Sequence, residues 1–260
     1  MNSSESANLA NTISRLAAMR VAVFALTSLA ETRASGSGKR FVRLQSYVMS
    51  LARALQQRGK FESILSEAFI SDLFQAVPMY DIGKIGIPDR ILLKPDSLTP
   101  EEFEVIKTPT TLAREAIELA EKTLEYQAPT LQTMKETAYS HHEKWDGTGY
   151  PQGLLGDRIP LAARLMAVAD VYDALISNKV YRDGVSHEQA MQAIVSVRGR
   201  HFDPELVDVF IEIHEEFRII ARRDADSDAD MKKKIEYLAS ATADESDVHT
   251  IVGVTKMPWA

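Results

Sequence analysis

Apolar residues recur along this chain with the spacing of amphipathic helices. Between residues 41 and 57 they fall at Leu44, Tyr47, Val48 and Leu51, which share one helical face. No segment alternates apolar and polar residues as a half-buried strand does. The pattern therefore predicts an all-α protein, a multi-helix bundle. The other predicted helices cover residues 11–30, residues 64–79, a segment from Leu112 that Pro129 interrupts, residues 164–177, and a last helix with Leu206, Val209, Phe210, Ile213 and Phe217 on one face.

Polar residues mark where several helices begin. The run from Thr99 to Glu102 reads Thr-Pro-Glu-Glu, a capping box with proline at the first helical position. Ser186 is expected to cap a second helix, and Asp203 before Pro204 a third. Glycine and proline are frequent over residues 146–160, which predicts a long loop.

The two ends of the chain differ from its middle. Residues 1–10 are polar and predict a flexible N-terminus, residues 11–221 predict one helical domain, and residues 222–260 predict a charged and polar tail. The apolar run at 21–30 is shorter than the ~20 residues of a spanning helix. No basic segment precedes it, so we expect no secretory signal, no membrane insertion and a cytoplasmic protein. A homodimer through this N-terminal helix is one alternative role for the run.

Composition limits the chemistry. The 260 residues carry 30 Lys and Arg against 37 Asp and Glu, a net charge of −7, which argues against broad nucleic-acid binding. Cysteine is absent, which excludes disulfides, thiolate metal sites and a cysteine nucleophile. Any metal site must therefore use carboxylates and the six histidines.

Three stretches carry candidate chemistry. His141 and His142 precede a Gly-rich loop, and they either ligate a metal from the cleft between them or cap the end of a helix. Asp81 and Lys84 are spaced to pair with each other on a helical turn. Asp170 lies in a strongly apolar helix, where a carboxylate is costly unless it is paired or metal-bound.

Together these stretches resemble the HD-GYP family, bacterial cyclic di-GMP phosphodiesterases of the HD superfamily. Residues 80–84 stand where the family has His-Asp-x-Gly-Lys, and residues 141–151 are similar to its HHE-x-x-DG-x-GYP signature. The resemblance covers about residues 15–220. The segment LLKPDSLTPEEF is most similar to the branch in which this domain follows a receiver domain, although these residues include no receiver domain.

The resemblance implies a centre of two or three metal ions, usually iron or manganese, but several ligands are replaced. Tyr80 is a poor neutral ligand, and Arg40 brings a permanent positive charge. We therefore expect no full centre, no intact catalytic set beyond the family-position Lys84, and at most a single iron or manganese ion. The residues that match the ligand pattern are Asp81, His141, His142 and Asp170, whereas Gly36, Arg40, Tyr80 and Pro109 stand where ligands are expected. His187, His201, His214 and His249 are expected to be solvated residues of caps, surface helices or the tail.

The resemblance also implies a ligand pocket and a contact loop. Lys179 replaces a usual arginine and cannot provide its bidentate fork. The positions that would surround cyclic di-GMP are Lys84, Tyr150, Asp173, Lys179 and Arg182. The loop that would meet a GGDEF-domain partner contains Trp145, Asp146, Gly147, Gly149, Tyr150 and Pro151, with both aromatic rings expected to be exposed. The alternative for this loop is a packed connector that closes the metal cleft.

Two functions follow as hypotheses. The first is a degenerate, catalytically inactive signalling domain that acts by protein contacts or by sensing cyclic di-GMP. The second is an active or weakly active metal-dependent phosphodiesterase that releases linear product. In the first case Arg40 is predicted to enter the old metal cleft and to pair with Asp81, Asp170 or both, with Lys84 assisting.

Overall fold

Helices account for the regular structure of the chain. The computed structural model describes residues 3–33, 39–94, 97–177 and 184–227, together with residues 229, 230, 232 and 236. These residues contain no strand, only two isolated bridges, between Asp146 and Leu155 and between Arg198 and Phe202. The all-α prediction is confirmed. The helices are α1 Ser3–Arg33, α2 Lys39–Gln57, α3 Glu67–Ala76, α4 Asp89–Leu92, α5 Pro100–Lys107, α6 Pro109–Leu124, α7 Pro129–Ser140, α8 Leu161–Ile176, α9 His187–Ser196 and α10 Pro204–Arg223.

The predicted caps are present. The side chains of Thr99 and Ser186 each accept a hydrogen bond from the backbone N–H of the third helical residue. The side chain of that third residue in turn accepts a hydrogen bond from the backbone N–H of the capping residue. The Asp203 side chain accepts from the backbone N–H of Glu205 at the start of α10. These bonds satisfy backbone donors that a helix N-terminus leaves free.

The core lies between α2, α8 and α10. One face of α2 is fully buried against the other two helices, and α8 is buried over most of its length. Tyr47 stacks on Phe217 with ring centroids 4.5 Å apart, and Tyr172 meets both rings edge-on. This packing fixes α8 at the centre of the bundle, so that polar residues on α8 have a defined position.

Two boundaries differ from the prediction. Helix α1 begins at Ser3, so residues 3–10 are helical where a flexible end was expected. Ala7, Leu9 and Ala10 are residue types with high helix propensity. Helix α3 is shorter than its predicted span and continues as a 3-10 turn at Val77–Met79, because proline at 78 cannot donate to a longer helix.

None of the described helices combines the length and the apolar character needed to cross a membrane.

Candidate active site

The candidate site forms where four elements meet. Asp81 lies between the 3-10 turns Val77–Met79 and Ile82–Gly86, directly after α3. His141 ends α7, Asp170 is on α8, and Arg40 is in the first turn of α2. Residues separated by up to 130 positions in sequence therefore share one cleft.

One side of the cleft, the acid–imidazole half, consists of Asp81, His141 and His142. Nδ1 of His141 lies 3.0 Å from the carbonyl oxygen of Thr137 and 3.1 Å from that of Ala138. A carbonyl only accepts, so Nδ1 carries a proton, and Nε2 can present a lone pair in the neutral tautomer. The capping interpretation of this histidine is confirmed through Nδ1, and metal ligation through Nε2 stays a prediction.

The free nitrogen faces a free oxygen. Nε2 of His141 and Oδ1 of Asp81 are 3.8 Å apart, both are buried, and neither has a hydrogen-bond partner among the described residues. A ring nitrogen of His142 completes a group whose three ligand atoms lie within 4.8 Å of one another. Buried polar atoms are normally paired, so two unpaired acceptors facing each other fit a cation between them. These residues would hold one divalent ion, which when bound would polarise a phosphate oxygen or a water.

The charges of this half keep its ligands in their binding forms. Burial would raise the pKa of Asp81, but Lys84, His141 and His142 hold it below its usual value. Nζ of Lys84 is 2.5 Å from Oδ2 of Asp81, as the sequence spacing predicted, and this carboxylate keeps the pKa of Lys84 above its usual value despite burial. Burial, with His141 beside it, lowers the pKa of His142 to about 3, so His142 is neutral at pH 7.

The other side of the cleft, the arginine half, consists of Arg40, Glu31, Asp170 and Tyr80. Nη2 of Arg40 donates to Oδ1 of Asp170 at 2.6 Å, and Nη1 donates to Oε1 of Glu31 at 3.2 Å. The Tyr80 hydroxyl donates to the same Asp170 oxygen at 2.9 Å. The prediction that Arg40 enters the cleft and pairs with Asp170 is confirmed, whereas Asp81 pairs with Lys84.

The arginine half holds its carboxylates beside a cation of the chain itself. Burial would raise the pKa of Asp170, but Arg40 holds it below its usual value. Burial raises the pKa of Tyr80, so its hydroxyl stays protonated and acts as a neutral donor. A permanent guanidinium charge contacts Asp170 and would repel a dication at the same carboxylate. The residues present fit one metal ion and do not fit a two-metal centre.

Pro109 packs closely against the turn that follows Asp81. It begins α6, and its carbonyl packs against Gly83 in the turn that follows Asp81. A Cβ built on Gly83 would lie 2.0 Å from the Pro109 oxygen, so only glycine permits this approach. The turn that follows Asp81 is therefore fixed by backbone contact with Pro109.

The predicted ligand contact of Asp173 meets a different environment. Asp173 is buried, and Arg43 donates to its two oxygens, at 2.6 Å from Nε and 3.0 Å from Nη2. Nε of Arg40 lies 3.7 Å from Asp173 as well. A carboxylate engaged by two guanidinium groups is not available to a ligand without breaking those pairs.

The loop between α7 and α8 is internally tied. Glu143 is buried and accepts from the backbone N–H groups of Gln152 at 2.7 Å and Leu154 at 2.9 Å. The prediction that Trp145 and Tyr150 are exposed is wrong, because both are half-buried. Trp145 lies against Arg164, and the Tyr150 ring is 4.9 Å from that of His142. These contacts favour the packed-connector alternative for this part of the loop.

The N-terminal helix covers the cleft. Thr27, Ala30 and Glu31 of α1 line a narrow space together with Phe41, Asp81 and Lys84. Between the described residues this space does not admit a water molecule, whereas ligand pockets for drug-sized molecules measure about 300–1,000 Å³.

Several residues of the site were not expected from the sequence. Glu31 contacts Arg40 from α1, and only its position nine residues before Arg40 could have suggested it.

Outside the cleft, the histidines differ from the prediction. His187 and His214, expected to be solvated, are half-buried and hydrogen-bonded to each other. His201 is half-buried and stacks on Phe202. The predicted site residues Gly36, Lys179 and Arg182, together with His249, lie outside the described residues.

Comparisons with known proteins agree with the fold and the motifs. The profile of the HD domain family matches residues 13–206. A protein of Vibrio cholerae serotype O1, named probable cyclic di-GMP phosphodiesterase, is 49% identical over 209 residues, which are 80% of this chain and 47% of that protein. A cyclic di-GMP phosphodiesterase of the same organism is 46% identical over 201 residues, 77% of this chain and 41% of that protein. The chain thus spans less than half the length of these relatives.

A solved structure gives the same fold. A cyclic GMP-AMP-specific phosphodiesterase of V. cholerae superimposes with a TM-score of 0.52 over 84% of this chain and 58% of that chain. The identity is 19%, so this likeness concerns the fold alone.

Proposed function

Because the chain belongs to the HD domain family, within its HD-GYP group, we propose that it is a signalling domain of that group in which phosphodiester hydrolysis has been lost. The proposal places it in cyclic di-GMP signalling, the process named by its relatives. It would act through contacts with other signalling proteins, of which a GGDEF domain is the first candidate.

The observation that carries the proposal is the ion pair between Arg40 and Asp170. Hydrolysis on a two-metal centre needs both ions, one to activate water and both to neutralise the developing charge. Arg40 already neutralises Asp170 at 2.6 Å, and Tyr80 donates to the same oxygen. A guanidinium can attract a phosphate, but it cannot lower the pKa of a bound water as a metal does.

The closed cleft favours protein contact over ligand sensing. Lys84 is engaged by Asp81 and Asp173 by Arg43, so two of the expected ligand contacts are already satisfied within the protein. The loop at residues 145–151 is the proposed contact surface, in which Asp146 and Thr148 are exposed beside the half-buried rings of Trp145 and Tyr150.

A one-metal phosphodiesterase is the second candidate. It is favoured by the facing lone pairs of Asp81 and His141 in the acid–imidazole half. Lys84, partly buried beside Asp81, would supply the positive charge nearest to a bound phosphate. Turnover would be slow, because one metal ion and fixed cations would replace a full centre.

Chromatography for linear product separates the two functions. The full chain is incubated with cyclic di-GMP and excess Mn²⁺ or Fe²⁺, beside a relative with the intact ligand set. The proposal predicts no product, and Arg40→His alone should not restore turnover because Tyr80 and Pro109 remain. Turnover comparable to that of the relative would refute the proposal, and slow turnover abolished by Asp81→Asn would establish the second candidate.

A further inference from the structure

A second group of ligand-type side chains lies away from the cleft, at the junction of α9 and α10. His187 is the first residue of α9, and His214 and Glu215 are neighbours on α10. One ligand atom from each lies within 4.8 Å of the others. Nε2 of His187 is 2.9 Å from Nδ1 of His214, and that nitrogen is 3.7 Å from Oε1 of Glu215.

The separation of the two nitrogens suits chelation. Imidazole nitrogens bind tetrahedral Zn²⁺ at about 2.0–2.1 Å, which places two such nitrogens about 3.3–3.4 Å apart, so a rotation that moves either ring nitrogen by a few tenths of an ångström would admit the ion. The two rings are nearly parallel, with an angle of 21° between their planes. Without a metal, the observed distance of 2.9 Å is an ordinary hydrogen bond in which one imidazole donates to the other.

A third contact orients His187 in the way that metal-bound histidines are oriented. Its Nδ1 is 2.7 Å from the hydroxyl of Tyr172, which is fully buried on α8. Histidine ligands usually donate their second ring N–H to an oxygen, which fixes the tautomer and directs the lone pair at the metal. If Nδ1 donates to Tyr172, Nε2 of His187 has its lone pair directed at His214.

We propose that His187, His214 and Glu215 form a binding site for one transition metal ion of the zinc type. Two imidazoles and one carboxylate are the donor set of zinc sites that keep open positions, here filled by water. The site is partly exposed, since the His214 side chain is 29% and that of Glu215 51% accessible, so metal can enter from solvent.

The types of ligand atom in this group determine which class of metal ion it would bind. Arg218 pairs with Glu215 on α10 and shares its negative charge. Hard cations such as Mg²⁺ and Ca²⁺ need several oxygen ligands, which this group does not offer. The site should therefore prefer Zn²⁺, Ni²⁺ or Cu²⁺, which bind imidazole well.

A bound ion would link three helices. His187 belongs to α9, His214 and Glu215 to α10, and Tyr172 to α8, where its neighbour Asp173 pairs with Arg43. The inference does not rest on the proposed function, since it concerns residues outside the cleft.

Zinc stoichiometry tests the proposal. The full chain, His214→Ala, and His201→Ala as a matched histidine control are dialysed to equilibrium against the same free Zn²⁺, and bound zinc is measured by elemental analysis. We expect His214→Ala to bind one equivalent per chain less than the wild type, and His201→Ala to match the wild type. Equal zinc in all three proteins would overturn the proposal and would leave the pair as a hydrogen bond only.

A measurement on the unaltered chain covers a failure of His214→Ala to fold, which helical circular dichroism would reveal. Diethylpyrocarbonate modifies accessible histidines, and peptide mass spectrometry locates the products. Zn²⁺ should protect His187 and His214 and leave the modification of His201 unchanged. Modification of His214 at the same rate with and without Zn²⁺ would contradict the proposal.

Discussion

The two halves of the cleft each contain a buried aspartate, but the two carboxylates have different hydrogen-bond partners. In the acid–imidazole half, Oδ1 of Asp81 faces Nε2 of His141 at 3.8 Å, and neither atom has a hydrogen-bond partner among the described residues. In the arginine half, Asp170 accepts from both Arg40 and Tyr80. The comparison shows two ways of compensating a buried carboxylate: Asp81 pairs with Lys84 and keeps one oxygen without a hydrogen-bond partner among the described residues, whereas Asp170 is held by Arg40 and Tyr80.

The largest expected effect comes from removing the internal cation. Arg40→Ala leaves Asp170 and Glu31 without their shared partner in a largely buried site, which should destabilise the fold by about 3–5 kcal/mol. The control is Arg53→Ala, whose pair with Glu67 is exposed and screened by solvent, so its loss should change stability little. Urea unfolding of both variants measures the difference, and equal losses would show that Arg40 is not a structural substitute for a metal.

The second-largest expected effect concerns metal binding in the acid–imidazole half. Mn²⁺ at a hundredfold excess over its dissociation constant should stabilise the wild type by about 2.7 kcal/mol, because it binds only the folded chain. Asp81→Asn removes one of three ligand residues and should abolish this gain, whereas Asp157→Asn, an exposed carboxylate in the 3-10 turn Gly156–Arg158, should retain it. Thermal unfolding with and without Mn²⁺ gives the answer. A gain that persists in Asp81→Asn would place the ion elsewhere.

The smallest expected change in stability comes from the hydrogen bond between Tyr80 and Asp170 in the arginine half. Tyr80→Phe removes a hydrogen bond to Asp170 and should cost about 1 kcal/mol. Tyr47→Phe is the matched control, since the Tyr47 hydroxyl is buried and has no hydrogen-bond partner among the described residues. Its removal should be neutral or slightly stabilising. If urea unfolding shows equal costs for the two variants, Tyr80 fills space and does not support Asp170.

The sequence predicted the parts of this site that follow from local chemistry. Helical periodicity and caps indicated the bundle, and an arginine in place of a metal ligand indicated the pair with Asp170. Contacts between distant segments were not predictable in this way. Glu31 reaches Arg40 because α1 folds over the cleft, and Arg43 reaches Asp173 across 130 residues.

Contacts in the loop between α7 and α8 and between His187 and His214 were not predictable from local sequence patterns either. Gly-rich composition predicted a loop, but its burial depends on Glu143, whose bonds to Gln152 and Leu154 no local pattern reveals. His187 and His214 are 27 positions apart, with no motif that joins them. Only the packing of α9 against α10 brings them together.

The number of metal ions in the cleft is the central question, and anomalous scattering from crystals grown with Mn²⁺ counts them directly. We expect at most one anomalous peak in the cleft, beside Asp81, His141 and His142, with the Arg40 guanidinium still on Asp170. Two peaks in the cleft, with Arg40 displaced from Asp170, would contradict it.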